Sequence, residues 1–204
     1  MTASSEPDRL LAGRYLVGPV VGRGRSPVYR ARDMQLGREV AVKQVGLPGG
    51  PEGGVGSTAG TTRARALREA RAAACLSSPS VVQVYDVVEE ASAVWLVMEL
   101  VQAPTLAQLV HDRGPLDEPL AARIGLGVLD ALEDAHAHGV VHRDVKPANV
   151  LVGGLDDSGP DVAVKLADFG VAVVRDEPSV TAPGTVIGSP WYLAPEQATG
   201  RPAG

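Results

Sequence analysis

The chain has 204 residues, 45% hydrophobic and 21% charged, enough to bury the core of one ordinary domain or two small lobes and too apolar for a disordered chain. Its net charge of -5 argues against a nucleic-acid binder, which needs a basic face. The single cysteine, Cys75, excludes an internal disulfide, and no basic start followed by an apolar run marks a secretion signal, so a reducing, cytoplasmic setting is expected.

Residues 1–9 read as a disordered polar tail. From Leu10 to Arg32 apolar positions alternate, break at Gly22-Arg23-Gly24 and resume at Val28, which predicts two strands joined by a glycine-rich turn. Glycines there would let backbone amides approach a phosphate, although the same pattern also serves as a plain turn. Glu39 to Lys43 is a short apolar strand, and residues 46–60 form a flexible glycine-rich loop. Thr62 to Leu76 reads as an alanine-rich helix with Leu67, Ala70, Ala73 and Ala74 on its apolar face. Glu69, beside that face, has two readings: a solvated partner of Arg65 or Arg68, or a buried partner of Lys43. Cys75 is expected to be buried as a small hydrophobe.

Val81 to Val88 and Ala93 to Val101 complete a mainly antiparallel sheet. The most apolar stretch, residues 94–110, is broken by Glu99, Gln102, Pro104 and Gln108 and is too polar to span a bilayer. Beyond it the pattern turns helical. A short helix is expected over Thr105 to His111, and a long one over Glu118 to His138 with Leu120, Ile124, Val128, Leu132 and Ala135 on one stripe. His111, His136 and His138 belong on helix surfaces, and the spacing of the last two keeps them off one metal-binding face. Val150 to Val152 and Val162 to Leu166 are two short strands. Residues 171–190, with Ser179, Thr181, Thr185 and Ser189, are a long irregular segment of the kind that carries function.

The stretch with the densest chemistry is His142-Arg143-Asp144-Val145-Lys146-Pro147-Ala148-Asn149. An acid, a lysine two residues on and an amide five residues on can share one tight loop and converge on a phosphate and its metal. Composition supports this, because Asn149 is the only asparagine and only 3 of the 19 basic residues are lysines.

Val40-Ala41-Val42-Lys43, the His142 to Asn149 run, Asp168-Phe169-Gly170 and Ala194-Pro195-Glu196, in that order, resemble the signature set of protein kinases. Lys146 makes the chain similar to the serine/threonine class, and the bacterial members that resemble eukaryotic enzymes are the nearest likeness. The resemblance implies a two-lobed α+β kinase fold, with an antiparallel-sheet N-lobe at 10–101 and a partial, mainly helical C-lobe at 102–204. It implies ATP as cofactor with Mg²⁺, or Mn²⁺ in its place. Lys43 would hold the α- and β-phosphates and Glu69 would orient it. Gly22 and Gly24 would let backbone amides approach the phosphates, Val21 would bind the nucleotide beside them, Val28, Ala41 and Leu151 would sandwich the adenine, Glu99 and Val101 would offer it backbone groups, and Met98 would lie behind. Asp144 would accept or steer the substrate hydroxyl proton, Lys146 would neutralise charge on the transferred group, and Asn149 with Asp168 would hold the metal.

Arg143 implies control by phosphorylation of the long segment, with Thr181 or Thr185 as the autophosphorylation site. The partners implied are protein substrates and a second copy for autophosphorylation in trans, with no nucleic acid and no membrane segment in this chain. Ser26-Pro27 replaces the family's third loop glycine, and Pro27 has no N–H for a phosphate. The chain stops at Gly204, soon after Ala194-Pro195-Glu196, so a truncated catalytic domain is expected. The alternative is a non-catalytic kinase-fold module that binds nucleotide or partner proteins.

Overall fold

A computed structural model of the chain describes residues 9–22, 26–45, 67–68, 70–90, 93–155, 162–169 and 190–198. They fall into two units, Met1–Ala74 with Gln83–Val101 and Cys75–Val82 with Gln102–Gly204.

The first unit is a sheet of six antiparallel strands: β1 (Arg9–Leu11), β2 (Tyr15–Gly22), β3 (Val28–Asp33), β4 (Arg38–Val45), β5 (Val84–Glu90) and β6 (Ala93–Met98), in spatial order β1-β2-β3-β4-β6-β5. Strand alternation sends Tyr15, Ala31, Val40, Val42, Trp95 and Val97 to one face, where with Leu11 and Val88 they form a buried apolar cluster. The edge strand β1 adds Leu11 to that face, and it begins one residue earlier than expected, at Arg9, within the stretch read as tail. Arg9 holds it there: its Nη2 donates to Glu90 Oε2 at 2.6 Å and its guanidinium lies 5.1 Å from the Trp95 ring centre. Glu90 Oε1 accepts the Ala12 N–H at 3.2 Å. Beneath the sheet's first turn, Asp33 is 1% exposed and takes two hydrogen bonds from Arg14, at 2.6 and 2.9 Å, plus the N–H groups of Gln35 and Leu36. Tyr15 donates its hydroxyl to Asp86 at 2.7 Å.

Residues 70–73 are helical, with Ala70 and Ala73 buried. Two expectations fail here: Ala74 and Cys75 are exposed, because they sit in a turn between buried Ala73 and Leu76.

In the second unit, α1 (Leu106–Arg113) begins at a capping box. Thr105 Oγ1 accepts the Gln108 N–H, and Gln108 Oε1 accepts the Thr105 N–H. The helix stops at Gly114, whose φ of 80° suits a residue without a side chain. The next helix, α2 (Glu118–Ala137), starts on Asp117, which accepts the Leu120 N–H at 2.8 Å, with a proline in its first turn. Ile124, Ala131 and Ala135 are its buried residues, while Leu120, Val128 and Leu132 are half-buried. Leu126 and Leu129, off that stripe, are 60% and 61% exposed.

Strands β7 (Val150–Gly153) and β8 (Ala163–Leu166) form an antiparallel hairpin. Both of its edges are occupied. Thr105 bridges Leu151 and the Val152 N–H reaches Pro104 O on one side. On the other, Val81 bridges Leu166 in parallel, with Leu166 N–H to Ser80 O at 2.8 Å and Val82 N–H to Leu166 O at 3.0 Å. The expected strand from Val81 to Val88 is therefore split: its start pairs with β8, and only Val84 onward belongs to the six-stranded sheet. The unit ends, among the described residues, in a 3-10 turn at Pro190–Tyr192 and a short helix, α3 (Pro195–Ala198). No helix among the described residues is long and apolar enough to cross a membrane.

Candidate active site

In the first unit, the face of the sheet opposite the apolar cluster carries the residues named for the nucleotide. Val28 on β3 pairs with Lys43 on β4, Lys43 pairs with Leu96, and Ala41 pairs with Met98 on β6. Directly opposed residues in antiparallel strands share a face, so Val28, Ala41, Lys43 and Met98 all lie on this one. Lys43 is buried there. Gly22 stands where a side chain would be tight, since a Cβ would lie 3.2 Å from Val28 Cβ and Val28 would have to give way slightly, whereas Val21 beside it is exposed. Glu99 commits its N–H to Gln83 O at 2.8 Å, and Val101 follows at the end of the unit.

The second unit holds the acid, lysine and amide on one loop between α2 and β7. Lys146 Nζ donates to both carboxylate oxygens of Asp144, at 2.7 and 2.9 Å. Asn149, buried in a 3-10 turn opened by Pro147, donates Nδ2 to the Asp144 carbonyl at 2.8 Å and to Asp144 Oδ2 at 3.2 Å. The spacing of two and five residues thus brings three polar heads into direct contact. Asp144 and Lys146 keep 38% and 27% of their side-chain surface open, so the carboxylate is held without being sealed from a substrate.

His142 fixes the loop from inside. It is 1% exposed, stacks edge-on against Phe169 with ring centres 4.5 Å apart, and makes two hydrogen bonds. Nε2 lies 2.8 Å from Ala167 O, which can only accept, so this nitrogen carries the proton. Nδ1 therefore accepts the Asp144 N–H at 3.2 Å. Burial pushes the imidazole pKa below its usual value, and a neutral ring is what this bonding requires.

Asp168 follows Ala167, whose N–H donates to Asn149 O at 2.8 Å, so the amide and the second acid are tied by backbone at the end of the hairpin. Asp168 and Arg143 both have left-handed backbones, φ 70° and 64°. A residue with a Cβ adopts that region at a cost of about 1–2 kcal/mol. Such strain persists where the surroundings impose it, commonly at functional sites. Leu151 lies on β7, immediately after this loop. Gly24, Glu69, Thr181, Thr185 and Ser189 lie outside the described residues.

One residue was not singled out from the sequence. Gln197 of α3 donates Nε2 to Arg143 O at 2.8 Å and accepts the Ala194 N–H on Oε1 at 3.1 Å. Its only sequence signal is a glutamine two residues after the proline that starts a turn.

The fold has close counterparts among solved structures. The Mycobacterium tuberculosis PknI kinase domain, as a double mutant, aligns over 100% of this chain and 71% of its own, with a TM-score of 0.71 and 27% identity. Rad53 1-466 in complex with AMP-PNP aligns over 92% of this chain and 43% of its own, with a TM-score of 0.68 and 25% identity. The protein kinase domain family matches residues 15–204, and the chain belongs to that family. Among curated proteins, a probable serine/threonine-protein kinase of Streptomyces coelicolor is 41% identical over 204 residues, 96% of this chain. The serine/threonine-protein kinase PknB of Mycobacterium leprae is 39% identical over 198 residues, 93% of this chain. The chain spans only 28% and 29% of those two relatives' lengths. Its kin are thus bacterial serine/threonine kinases, and its fold is their α+β kinase fold.

Proposed function

We propose that this chain is the catalytic domain of a cytoplasmic protein serine/threonine kinase that transfers the γ-phosphoryl group of ATP to protein hydroxyls. The observation that carries the reading is the state of Asp144: a half-open carboxylate with both oxygens on Lys146 and its carbonyl on Asn149. In the transfer the bond between the γ-phosphorus and its bridging oxygen breaks, a bond from the acceptor hydroxyl oxygen forms, and the hydroxyl proton passes to Asp144. Lys146 places a cation where charge accumulates on the moving group. Lys43 would contact the α- and β-phosphates, with Glu69 orienting it. Val21, Gly22, Gly24, Val28, Ala41, Met98 and Leu151 would enclose the nucleotide. Because the Glu99 N–H is taken by Gln83, Glu99 would offer the adenine its carbonyl, with Val101 supplying a second backbone group.

Asn149 and Asp168 suit a hard cation such as Mg²⁺ or Mn²⁺. Both donors are oxygens, since Asn149 Nδ2 is engaged by Asp144 and leaves Oδ1 as the ligand atom. When bound, the ion neutralises phosphate charge. Protein substrates and a second copy of this chain are the proposed partners, the latter for autophosphorylation at Thr181 or Thr185.

The test uses the purified chain with labelled ATP, Mg²⁺ and a generic protein acceptor, beside Asp144→Asn. A positioned general base contributes about 10²–10⁴-fold, so labelling should fall by at least about 10²-fold in the variant. Equal labelling by both proteins removes the kinase reading and leaves a binding module. Phosphopeptide mapping of an active preparation should find Thr181 or Thr185 modified.

A further inference from the structure

We propose that Gln197 is a positioning residue for the catalytic loop, holding the Arg143–Asp144 peptide in the orientation that aims the Asp144 carboxylate. This rests on the reading of Asp144 as the group that takes the hydroxyl proton.

The peptide between Arg143 and Asp144 is gripped at both ends. Its N–H, belonging to Asp144, donates to His142 Nδ1 at 3.2 Å. Its carbonyl, belonging to Arg143, accepts from Gln197 Nε2 at 2.8 Å, across 54 residues of sequence. The plane of that peptide sets the direction in which the Asp144 side chain leaves the loop. Arg143 enters it with a φ of 64°, a conformation that a residue bearing a Cβ leaves unless something holds it. His142 in turn donates to Ala167 O, the carbonyl just before Asp168. A continuous chain of hydrogen bonds therefore runs from Gln197 through the Arg143–Asp144 peptide and the His142 ring to the residue preceding the second acid.

Capping alone does not explain Gln197. As the third residue of α3 it returns Oε1 to the Ala194 N–H, the reciprocal half of a capping box. That uses only the oxygen. The amide nitrogen is aimed at a carbonyl in another loop, and because both partners are backbone groups of fixed polarity, the orientation of the side-chain amide is settled. Glutamate could make the cap but not the second bond. This separates the two roles experimentally.

The experiment compares the full chain with Gln197→Glu and Gln197→Ala, reading kcat and KM for ATP with Mg²⁺, thermal unfolding, and hydrogen exchange at the Asp144 amide. Glutamate keeps the cap and sets a carboxylate against the Arg143 carbonyl. In Gln197→Glu, kcat should fall about tenfold or more, because small displacements of a catalytic group are costly. KM for ATP should stay within about twofold and any fall in unfolding temperature should be small, while the Asp144 amide exchanges about tenfold faster. Gln197→Ala should show the same loss of kcat together with a lower unfolding temperature. Wild-type kcat and wild-type amide exchange in Gln197→Glu would overturn the proposal. If the unmodified chain transfers no phosphate, the kinase reading fails by itself. The amide exchange then decides alone, faster exchange in Gln197→Glu upholding the positioning role and equal exchange refuting it.

Discussion

Gly127 of α2 lies so close to Val164 of β8 that a Cβ on Gly127 would sit 2.6 Å from Val164 Cβ and 3.0 and 3.1 Å from its two methyl groups. The helix and the hairpin that bears Asn149 and Asp168 at its ends are therefore in backbone-close contact, and the absence of a side chain is what permits it. Valine is stiff about χ1, so rotation cannot relieve the clash. Gly127→Ala should lower stability by about 1–3 kcal/mol, the usual range for overpacking. Gly125→Ala, two residues away with nothing within 4 Å, should instead raise it by about 0.5–1 kcal/mol through helix propensity. Urea midpoints of the two variants should move in opposite directions.

His142 gives the loop a pH dependence near neutrality. Burial lowers its folded pKa, so its contribution to stability is complete above the unfolded value near 6.5 and is lost as pH falls below it. The slope from one group is at most about 1.4 kcal/mol per pH unit. His142→Asn should flatten the fall in unfolding temperature between pH 7 and 5. The exposed His111, His136 and His138 are common to both proteins and cancel. An equally steep fall in the variant would assign the dependence elsewhere.

Asp33 acts in a lower window. The Arg14 guanidinium beside it, helped by the Leu36 and Gln35 N–H groups, holds its carboxyl well below the usual carboxylate range against the opposing effect of burial. Its stabilisation is full above the unfolded value of about 4 and declines as pH drops further. Asp33→Asn should therefore differ most from the unmodified chain above about pH 4, and the difference should shrink steadily, without vanishing, as pH falls from about 4 to about 3. Glu39 on Arg30 and Glu90 on Arg9, also lowered, are retained in both.

Lys146 bonds both oxygens of Asp144, so its removal takes away the carboxylate's main partner and the cation proposed for the moving phosphoryl group. Lys146→Met should reduce kcat by about 10²–10³-fold, the range seen when one charge-stabilising donor is lost. KM for ATP should change little, because the residues proposed to grip the nucleotide lie elsewhere. Steady-state kinetics on both substrates separates the two. A large rise in KM for ATP with kcat intact would place Lys146 in nucleotide binding instead.

Much of the architecture was legible in the chain because it is local. The long helix expected over Glu118 to His138 is found at Glu118–Ala137, and the hairpin expected at Val150 to Val152 and Val162 to Leu166 is found at Val150–Gly153 and Ala163–Leu166. Periodicity, an Asp117 cap and a proline in the first turn suffice for the first, and alternating short apolar runs for the second. Ala74 and Cys75 were misjudged because the helix ends in a turn before them, and two other residues because their partner is distant in sequence. Arg9 reads as tail until Glu90 and Trp95 hold it, and Val81 reads as the start of β5 until Leu166 pairs with it.

By itself, the sequence determined the chemistry of the loop. An acid, a lysine and an amide at offsets of two and five meet within one tight turn, since spacing inside a short loop leaves their heads little freedom to part. Tertiary structure decided what holds that loop in place: Gln197 on the Arg143 carbonyl, His142 between the Asp144 amide and the Ala167 carbonyl, and Gly127 against Val164. The His142–Ala167 and Gln197–Arg143 bonds join a side chain to a backbone carbonyl across 25 and 54 residues of chain, and Gly127 meets the side chain of Val164 on another element. Periodicity reports which face of an element is buried. It says nothing about which distant carbonyl a glutamine will reach.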